Sequence, residues 1–411
     1  MHPKRCNAEN NRGNLLTNEQ NCDMKNFNFH QSTKILFGKG RINELAEVAL
    51  LYGKKALLVT TPPAIPALQQ QYDKVKKILT DKGIEVTHFD GVIPNPTVET
   101  ITAGAKIAKA CGAQMIIGLG GGSIMDTAKA ISVEATHTGI SWDYLFYKTP
   151  QPDKKKLLPV IAISTTSGTG SQVTQVAVIT NSATRDKSAL YNNILYPKVC
   201  IVDPELMLSV PKFVTATTGF DVLCHAFEST LNPGTGAYVD LLAWEAIAMV
   251  VENLPTLLDN LSDLNLREKM AWADTLAGLC IANAGVTLPH GMGMAIGGMY
   301  PNVAHGESLA IVYPSFTRFT WKSAIPQFAK IGKILNPELK SLGDEKAAEC
   351  SIILIDEFIK KIGLWKTLKE KGVPESEIGA LALQCMVLPD YKANPKIATQ
   401  EEMINLLKAS F

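Results

Sequence analysis

Two stretches of the sequence carry residues that could bind a metal ion. The segment HGMGMAIGGMYPNVAHG is uncharged and mostly small or apolar, with His290 and His305 near its ends. Upstream, TTGFDVLCHAFEST holds Asp221 and His225 at i and i+4, which share one face of a helix. Three neutral imidazoles and one carboxylate suit Fe²⁺, Zn²⁺, Ni²⁺ or Co²⁺. Taken separately, Asp221 and His225 could form a hydrogen-bonded pair, His290 could end a helix and His305 could be a cap residue. Their joint occurrence favours a metal site.

A glycine-rich turn in the first half predicts a phosphate site. In MIIGLGGGSIMDTAKAI, Gly121, Gly122 and Ser123 follow a buried strand and precede a helix. Glycines let the backbone approach a ligand, and a helix start offers free N–H groups to a pyrophosphate. We expect Ser123 to be the helix N-cap, with Asp126 completing an arrangement like a capping box. The alternative is a tight strand–helix turn, and the usual GxGxxG fingerprint is absent.

A second loop of this kind follows the strand LPVIAIST. It reads TTSGTGSQVT and places the hydroxyls of Thr165, Thr166 and Thr169 around two glycines. Hydroxyls and free amides together suit phosphate, ribose or carboxamide groups. The alternative is a polar hairpin loop, but two such loops at strand ends favour a nucleotide.

The elements that must position these residues form two parts. Short apolar runs (TKILFGKG, KKALLVTT, IEVTHFDG, QMIIGLGGG, LLPVIAIST and KVCIVDP) alternate with amphipathic stretches, which predicts a mostly parallel, Rossmann-like sheet covered on both faces. From about Thr215 the pattern is helical. We therefore predict a disordered extension at 1–23, a nucleotide-binding α/β domain at 24–210 and an all-α, metal-binding domain at 211–411, with a cleft between the two domains.

The composition excludes several classes of partner. The 411 residues include 40 basic and 39 acidic side chains, a net charge of +1 that gives no electrostatic case for nucleic acid or an anionic membrane. No apolar run approaches the ~20 residues of a bilayer span, and the N-terminus lacks a signal-peptide core. Eight scattered cysteines without a CxxC pair are typical of reduced, mostly buried thiols. These features predict a cytoplasmic protein.

Several motifs together resemble the iron-containing (group III) alcohol dehydrogenase family. They are GFDVLCHAFES, PHGMGMAIGGMYPNVAHG, GGGSIMDTAKAI, FGKG and PNPT, and the resemblance runs from about residue 28 to the end. It implies a nucleotide-binding α/β domain, a helical domain and a metal between them. Carried over by position, the ligands are Asp221, His225, His290 and His305. The resemblance also implies that Asn95 and Lys187 contact the cofactor, with a surface lysine as the alternative for Lys187, and that the protein is a homodimer or a larger homo-oligomer.

The sequence departs from the family pattern at three points. Many members have a second histidine four residues after the third ligand, where this chain has Met294. Proton transfer would then need water, a ribose hydroxyl or another donor. His290 and His305 are also fifteen residues apart where fourteen is common, which implies an insertion near Tyr300. Many members have Glu in place of Gln172.

The resemblance implies hydride transfer between NAD(P)(H) and a small alcohol or aldehyde, with the metal polarising the substrate oxygen. Many NAD-using relatives place an aspartate where this chain has Thr61. Without that carboxylate a 2′-phosphate is not repelled, so we lean to NADP over NAD, although no arginine stands nearby to hold the phosphate.

Other functions remain open on the sequence alone. The nearest are a glycerol dehydrogenase and a sugar-phosphate cyclase, and the cyclase is disfavoured because TTGFDVLCHAFES lacks basic residues. A hydroxyacid–oxoacid transhydrogenase would need a cationic carboxylate clamp, which we cannot identify. A non-catalytic metal- or nucleotide-binding relative is the alternative that the loss of histidine at Met294 leaves open.

Overall fold

The computed structural model describes residues 25–411, so the predicted extension at 1–23 lies outside the described residues. All six predicted strands are present, and a hairpin adds two more. In chain order the strands are β1 (Lys34–Phe37), β2 (Lys55–Val59), β3 (Glu85–Phe89), β4 (Met115–Gly120), β5 (Val160–Ser164), β6 (Val176–Asn181), β7 (Asp186–Tyr191) and β8 (Val199–Val202).

The main sheet is parallel and has the order β1-β8-β5-β4-β2-β3. Its α-helices are α1 (Leu45–Leu50), α2 (Pro66–Thr80), α3 (Val98–Ala110) and α4 (Gly122–Glu134). On β2, Leu57 and Val59 enter one core cluster with Ile101 of α3, whereas Leu58 enters the opposite cluster with Val75 of α2. Because both faces are covered, the strands are continuous apolar runs, as the sequence predicts.

The antiparallel hairpin of β6 and β7 is the element that the sequence analysis missed. It pairs Val176 with Tyr191 and Asn181 with Asp186, and it turns near Arg185, whose φ is 55°. VAVITN is rich in β-branched residues, which is a signal for a strand, whereas DKSALY carries no such signal. The hairpin places Lys187 of β7 near the helices of the second part.

After residue 211 the chain is helical throughout the described range. The helices are α5 (Lys212–Leu231), α6 (Ala237–Asp259), α7 (Leu264–Ala284), α8 (Leu288–Met299), α9 (His305–Thr320), α10 (Ile325–Leu335), α11 (Asp344–Lys361), α12 (Ile378–Cys385) and α13 (Gln400–Ala409). The first of them, α5, is buried at nearly every position from Thr215 to Leu231 and packs against α6, α7 and α9. The predicted fold class is confirmed, and the exact domain boundaries stay a prediction.

The apolar composition of α6 meets the length and hydropathy criteria for a membrane span, and so does the bent pair of α7 and α8 taken as one segment. The most apolar window of α6 is 44% buried inside the protein. Core helices of folded domains satisfy the same criteria, so this finding is weak support for a span. Of the cysteines in the described range, four are buried and none forms a disulfide.

Candidate active site

The four predicted metal ligands come together from three helices. Asp221 and His225 lie one turn apart on α5, and His290 lies in the first turn of α8, just after Pro289. His305 is the first residue of α9. The Oδ1 atom of Asp221 lies 3.5 Å from Nε2 of His225 and 3.5 Å from Nε2 of His290. It lies 3.8 Å from Nε2 of His305, so the extra residue in the preceding loop does not displace this histidine.

The donor set fits a divalent metal ion. Within residues 25–411, Asp221 Oδ1 and His290 Nε2 are buried without a hydrogen-bond partner. Ligand atoms of Asp221, His290 and His305 lie within 4.8 Å of one another, and the ring of His225 stacks on that of His290 at 4.7 Å. Buried polar atoms without partners are unfavourable, and a cation between them would satisfy them together. Imidazole nitrogens with one carboxylate suit Fe²⁺ or Zn²⁺.

The charges at this point agree with metal binding. Burial lowers the pKa of His225 and lowers the pKa of His305 to about 3, so both rings are neutral and keep a lone pair. Burial would raise the pKa of Asp221, but the surrounding imidazoles outweigh that effect and lower its pKa to about 2. Burial would also lower the pKa of His290, but Glu228 and Asp221 outweigh that effect and raise its pKa to about 10. The site therefore offers one anionic oxygen and two neutral imidazoles, and a metal ion would have to displace a proton from His290.

Glu228 orients His290 from behind, and the sequence analysis missed it. Its Oε1 lies 2.8 Å from Nδ1 of His290, and its Oε2 accepts hydrogen bonds from the backbone and hydroxyl of Thr287. With Nδ1 donating to Glu228, the other ring nitrogen faces Asp221. Asp221, His225 and Glu228 stand at i, i+4 and i+7 on one helical face, a spacing that could have revealed this residue.

The two loops predicted to bind a nucleotide lie side by side at the carboxyl ends of β4 and β5. A Cβ atom on Gly121 would lie 3.1 Å from Oγ1 of Thr166, and one on Gly122 would lie 2.7 Å from Oγ1 of Thr169. A side chain at 122 would therefore overlap Thr169, whereas one at 121 would be a tight contact that a small shift of Thr166 could relieve. The amide of Thr165 donates to the carbonyl of Gly120 and joins the two loops at their base. Open α/β sheets bind ligands at this edge.

The predicted N-cap of α4 is wrong. Gly121, not Ser123, occupies the N-cap position, and no side chain caps the helix. Asp126 does not complete a capping box either, because its carboxylate accepts from the hydroxyl of Ser171 at 2.6 Å and from the amide of Val178 at 3.0 Å. Asp126 lies more than one turn into the helix and faces the loop and strand beside it. The amides of the first turn are left without a side-chain competitor, as a phosphate site requires.

Lys187 is buried rather than a surface lysine. Its Nζ donates to Oδ1 of Asn95 at 2.8 Å, and Asn95 adopts a φ of 53°. Burial lowers the pKa of Lys187 to about 8. The Nδ2 of Asn95 donates to the carbonyl of Pro301 in the loop before α9. The pair therefore links β7, the loop after β3 and the helical part at one side of the cleft.

A cavity of about 430 Å³ connects the metal ligands with the nucleotide loops. Its lining includes Ser123 and Thr169 of the nucleotide loops, Lys187 of the hairpin, and all four predicted metal ligands. Met294 also lines the cavity and carries no exchangeable proton. Thr61 follows β2 at the same edge of the sheet, and it is partly exposed.

Asp274 of α7 holds the second loop and explains Gln172. Its Oδ1 accepts from the amides of Gly168 and Gly170 at 2.8 and 2.9 Å, and its Oδ2 accepts from Nε2 of Gln172 at 2.7 Å. A glutamate at 172 would place a second carboxylate against this buried one. The carbonyl of Gly168 in turn lies 3.1 Å from Nδ1 of His225. The loop is thus tied to α7 and to a metal ligand.

Comparisons with known proteins agree with this fold and identify a class of metal-dependent, nucleotide-linked enzymes. The model for iron-containing alcohol dehydrogenases matches residues 32–204, and the model for the C-terminal part of that family matches residues 215–411. The NAD-dependent methanol dehydrogenase of Bacillus methanolicus is 31% identical over 93% of this chain and 99% of its own length. The choline dehydrogenase of Bacillus subtilis is 36% identical over 90% and 91%. The crystal structure of an archaeal halo-thermophilic alcohol dehydrogenase from a Red Sea brine pool has a TM-score of 0.89 and 32% identity, over 94% of this chain and all of that one.

The chain belongs to the iron-containing alcohol dehydrogenase family. It is an oxidoreductase of the metal-dependent, NAD-linked alcohol dehydrogenase type, and its substrates are small alcohols or aldehydes. The glycerol dehydrogenase alternative has no better support in these comparisons.

Proposed function

We propose that Asp221, His225, His290 and His305 hold one divalent metal ion beside a bound nicotinamide dinucleotide. The observation that carries the proposal is the Asp221 oxygen, which lies within 3.8 Å of three imidazole nitrogens in the cavity. When bound, the metal supplies a Lewis acid that polarises the oxygen of an alcohol or carbonyl substrate.

The chain's own residues bind and orient the reactants. Gly121, Gly122 and Ser123 offer backbone amides to the pyrophosphate at the start of α4. Thr165, Thr166 and Thr169 contact the nucleotide on its nicotinamide side. Lys187 and Asn95, which already pair with each other, contact the cofactor from the hairpin side. Asp126 acts indirectly, because the protein itself uses both of its carboxylate oxygens.

Proton transfer does not use a histidine at position 294. Met294 lines the cavity and can neither accept nor donate the hydroxyl proton. The proton of the alcohol therefore leaves through water, a ribose hydroxyl or another group that can accept it. Apolar side chains, among them Val286 and Leu388, line the cavity that holds Met294. Surroundings of low polarity strengthen electrostatic interactions.

Aldehyde-dependent oxidation of NADH and NADPH tests this proposal. The protein reconstituted with Fe²⁺ or Zn²⁺ should oxidise the reduced nucleotide when an aldehyde is present. In the reverse direction it should oxidise the matching primary alcohol with the oxidised nucleotide. Chelation should abolish turnover, and returning the metal should restore it. Full activity in a preparation shown to be metal-free would refute the proposed site.

We also propose that the enzyme accepts NADP and prefers it modestly to NAD. Support comes from Thr61, which offers no carboxylate to a ribose 2′-hydroxyl or against a 2′-phosphate. Thr61→Asp should lower kcat/KM for NADPH by about tenfold or more and spare NADH, since a charge and a hydrogen bond change together. Steady-state kinetics with both nucleotides measure this. An unchanged ratio would remove Thr61 from the cofactor site.

We further propose that the protein is a homodimer or a larger homo-oligomer, which the family resemblance supports. We also propose that it acts in the cytoplasm, which the scattered cysteines without a CxxC pair support. Light scattering coupled to size-exclusion chromatography gives the assembly size. A monomer at assay concentration would contradict the first of these two proposals.

A further inference from the structure

Among the charged groups that line the cavity, Asp390 stands apart. Asp126 is bonded to Ser171 and Val178, Lys187 is bonded to Asn95, and Asp221 faces the imidazoles. The carboxylate of Asp390 forms no hydrogen bond or ion pair with another residue anywhere in residues 25–411. The protein therefore leaves this one acid of the cavity without a partner residue.

The position of Asp390 is fixed by close packing against α8. It lies in the short helical turn Pro389–Ala393, which contacts α8. A Cβ atom on Gly291 would lie 3.4 Å from Cβ of Asp390, so the residue after His290 leaves room for this aspartate. Asp390 thus lies on the metal-ligand side of the cavity, not among the nucleotide loops.

Around Asp390 the cavity combines the imidazole of His290, a metal ligand close enough to interact with its charge, with several apolar side chains. Leu388, Pro389, Val286 and Met294 line the same space. Asp390 is partly exposed at the edge of the cavity. A carboxylate beside such walls is less well solvated than one on the open surface, so it gains from a donor or a positive charge. An alcohol with a purely hydrocarbon chain offers neither, so binding it would leave the acid unpaired.

We propose that Asp390 binds the second polar group of a bifunctional alcohol. Such an alcohol carries a hydroxyl or an ammonium group at the end of its chain opposite the reacting hydroxyl. The inference rests on the proposed function, because the reacting oxygen must lie at the metal site. Asp390 determines which alcohols are bound and takes no part in hydride transfer.

Three alcohols of equal heavy-atom count test this inference: 1-butanol, 1,3-propanediol and 3-amino-1-propanol. They differ only in a terminal methyl, hydroxyl or ammonium group, if the assay pH keeps the amine protonated. The wild-type enzyme should show kcat/KM about tenfold or more higher for the two polar alcohols than for 1-butanol. Asp390→Asn should reduce that preference, most strongly for the ammonium compound, and leave 1-butanol unchanged or improved.

Two further variants make the test decisive. Asp390→Glu keeps the carboxylate and should retain part of the preference, and Asp259→Asn, at an acid whose side chain is 85% exposed, should change nothing. A preference that survives Asp390→Asn, or an equal fall for all three alcohols, overturns the inference while the alcohol dehydrogenase function stands. A wild-type enzyme that oxidises no alcohol with either nucleotide overturns the proposed function instead.

Discussion

At the scale of single residues, the site depends on how each imidazole is oriented. His290 presents Nε2 to Asp221 because Glu228 holds Nδ1 at 2.8 Å, and His225 is held in the same way by the carbonyl of Gly168 at 3.1 Å. Mutation of a group that orients a ligand in this manner typically lowers metal affinity by about tenfold to a hundredfold. The chemistry of the centre is therefore distributed over more residues than the four ligands.

Glu228→Gln should weaken metal binding without removing a ligand. The amide can still accept from His290, but it loses the negative charge that favours this orientation, so we expect an affinity loss of roughly tenfold to a hundredfold. Competition with a fluorescent chelator measures it. Glu245→Gln, at an exposed position of α6, serves as the control. Equal affinities for the Glu228 variant and the wild type would show that Glu228 has no orienting role.

At the scale of secondary structure elements, α9 must approach α5 closely for His305 to reach Asp221. Gly306 makes this approach possible, since a Cβ atom there would overlap the carbonyl oxygen of Thr217 on α5. The glycine follows a metal ligand directly, so any shift of the helix start moves that ligand. Helix packing and metal geometry are thus set by the same contact.

Gly306→Ala should therefore lower both the free energy of unfolding and the metal content of the protein. Overpacking at a helix contact typically destabilises by about 1–3 kcal/mol. Gly343→Ala is the matched control, because nothing lies within 4 Å of the added Cβ there. Thermal unfolding and metal content of the two variants decide the matter. If the two variants have the same unfolding temperature and the same metal content, the close contact between α9 and α5 does not control the site.

The second nucleotide loop is held by α7 through Asp274 and Gln172. Gln172→Glu would place two carboxylates in contact in a buried position and should lower the unfolding midpoint clearly. Adding Asp274→Asn to that variant restores one carboxylate and one amide, and the oxygen of the new side-chain amide can still accept from the two glycine amides. We expect the double variant to recover most of the lost stability. A further loss in the double variant would contradict the pairing.

The same aspartate makes stability depend on pH. Burial raises the pKa of Asp274 to about 7, above its ordinary value near 4. Between these two pH values the folded protein therefore holds a proton on this carboxyl group that the unfolded chain releases. The stability that this difference contributes to folding is full below about pH 4 and is lost as the pH rises through about 7. Asp274→Asn should flatten the fall in denaturation midpoint across that range. An unchanged pH profile would show that Asp274 titrates normally.

At the scale of the whole molecule, the sequence predicts the main sheet well because its six strands are continuous apolar runs ended by Gly, Asp or Pro. The β6–β7 hairpin was missed because its strands lie outside that sheet and follow a polar loop. The N-cap of α4 was placed two residues late, since Gly121 caps the helix by its backbone alone.

The functional residues likewise divide into those that the sequence predicts and those that only the folded structure reveals. Residues within a local motif, such as Asp221 and His225, could be recognised by spacing on one helix. Asp274 could not, because its hydrogen-bond partners lie about a hundred residues away in the chain. Asp390 could not, because the packing of its turn against Gly291 of α8 places it in the cavity, and Gly291 is equally distant in the sequence. Spacing carries no information about such contacts.

The most direct measurement is anomalous diffraction at the absorption edge of iron, from crystals of the protein grown with Fe²⁺. It should show one peak per chain at roughly 2.0–2.3 Å from Asp221, His225, His290 and His305. The Asp221→Asn and His305→Ala variants should lose most of that peak, whereas Gly343→Ala should keep it. A peak located elsewhere, or ligand atoms that point away from a common centre, would contradict the metal site on which the proposed function depends.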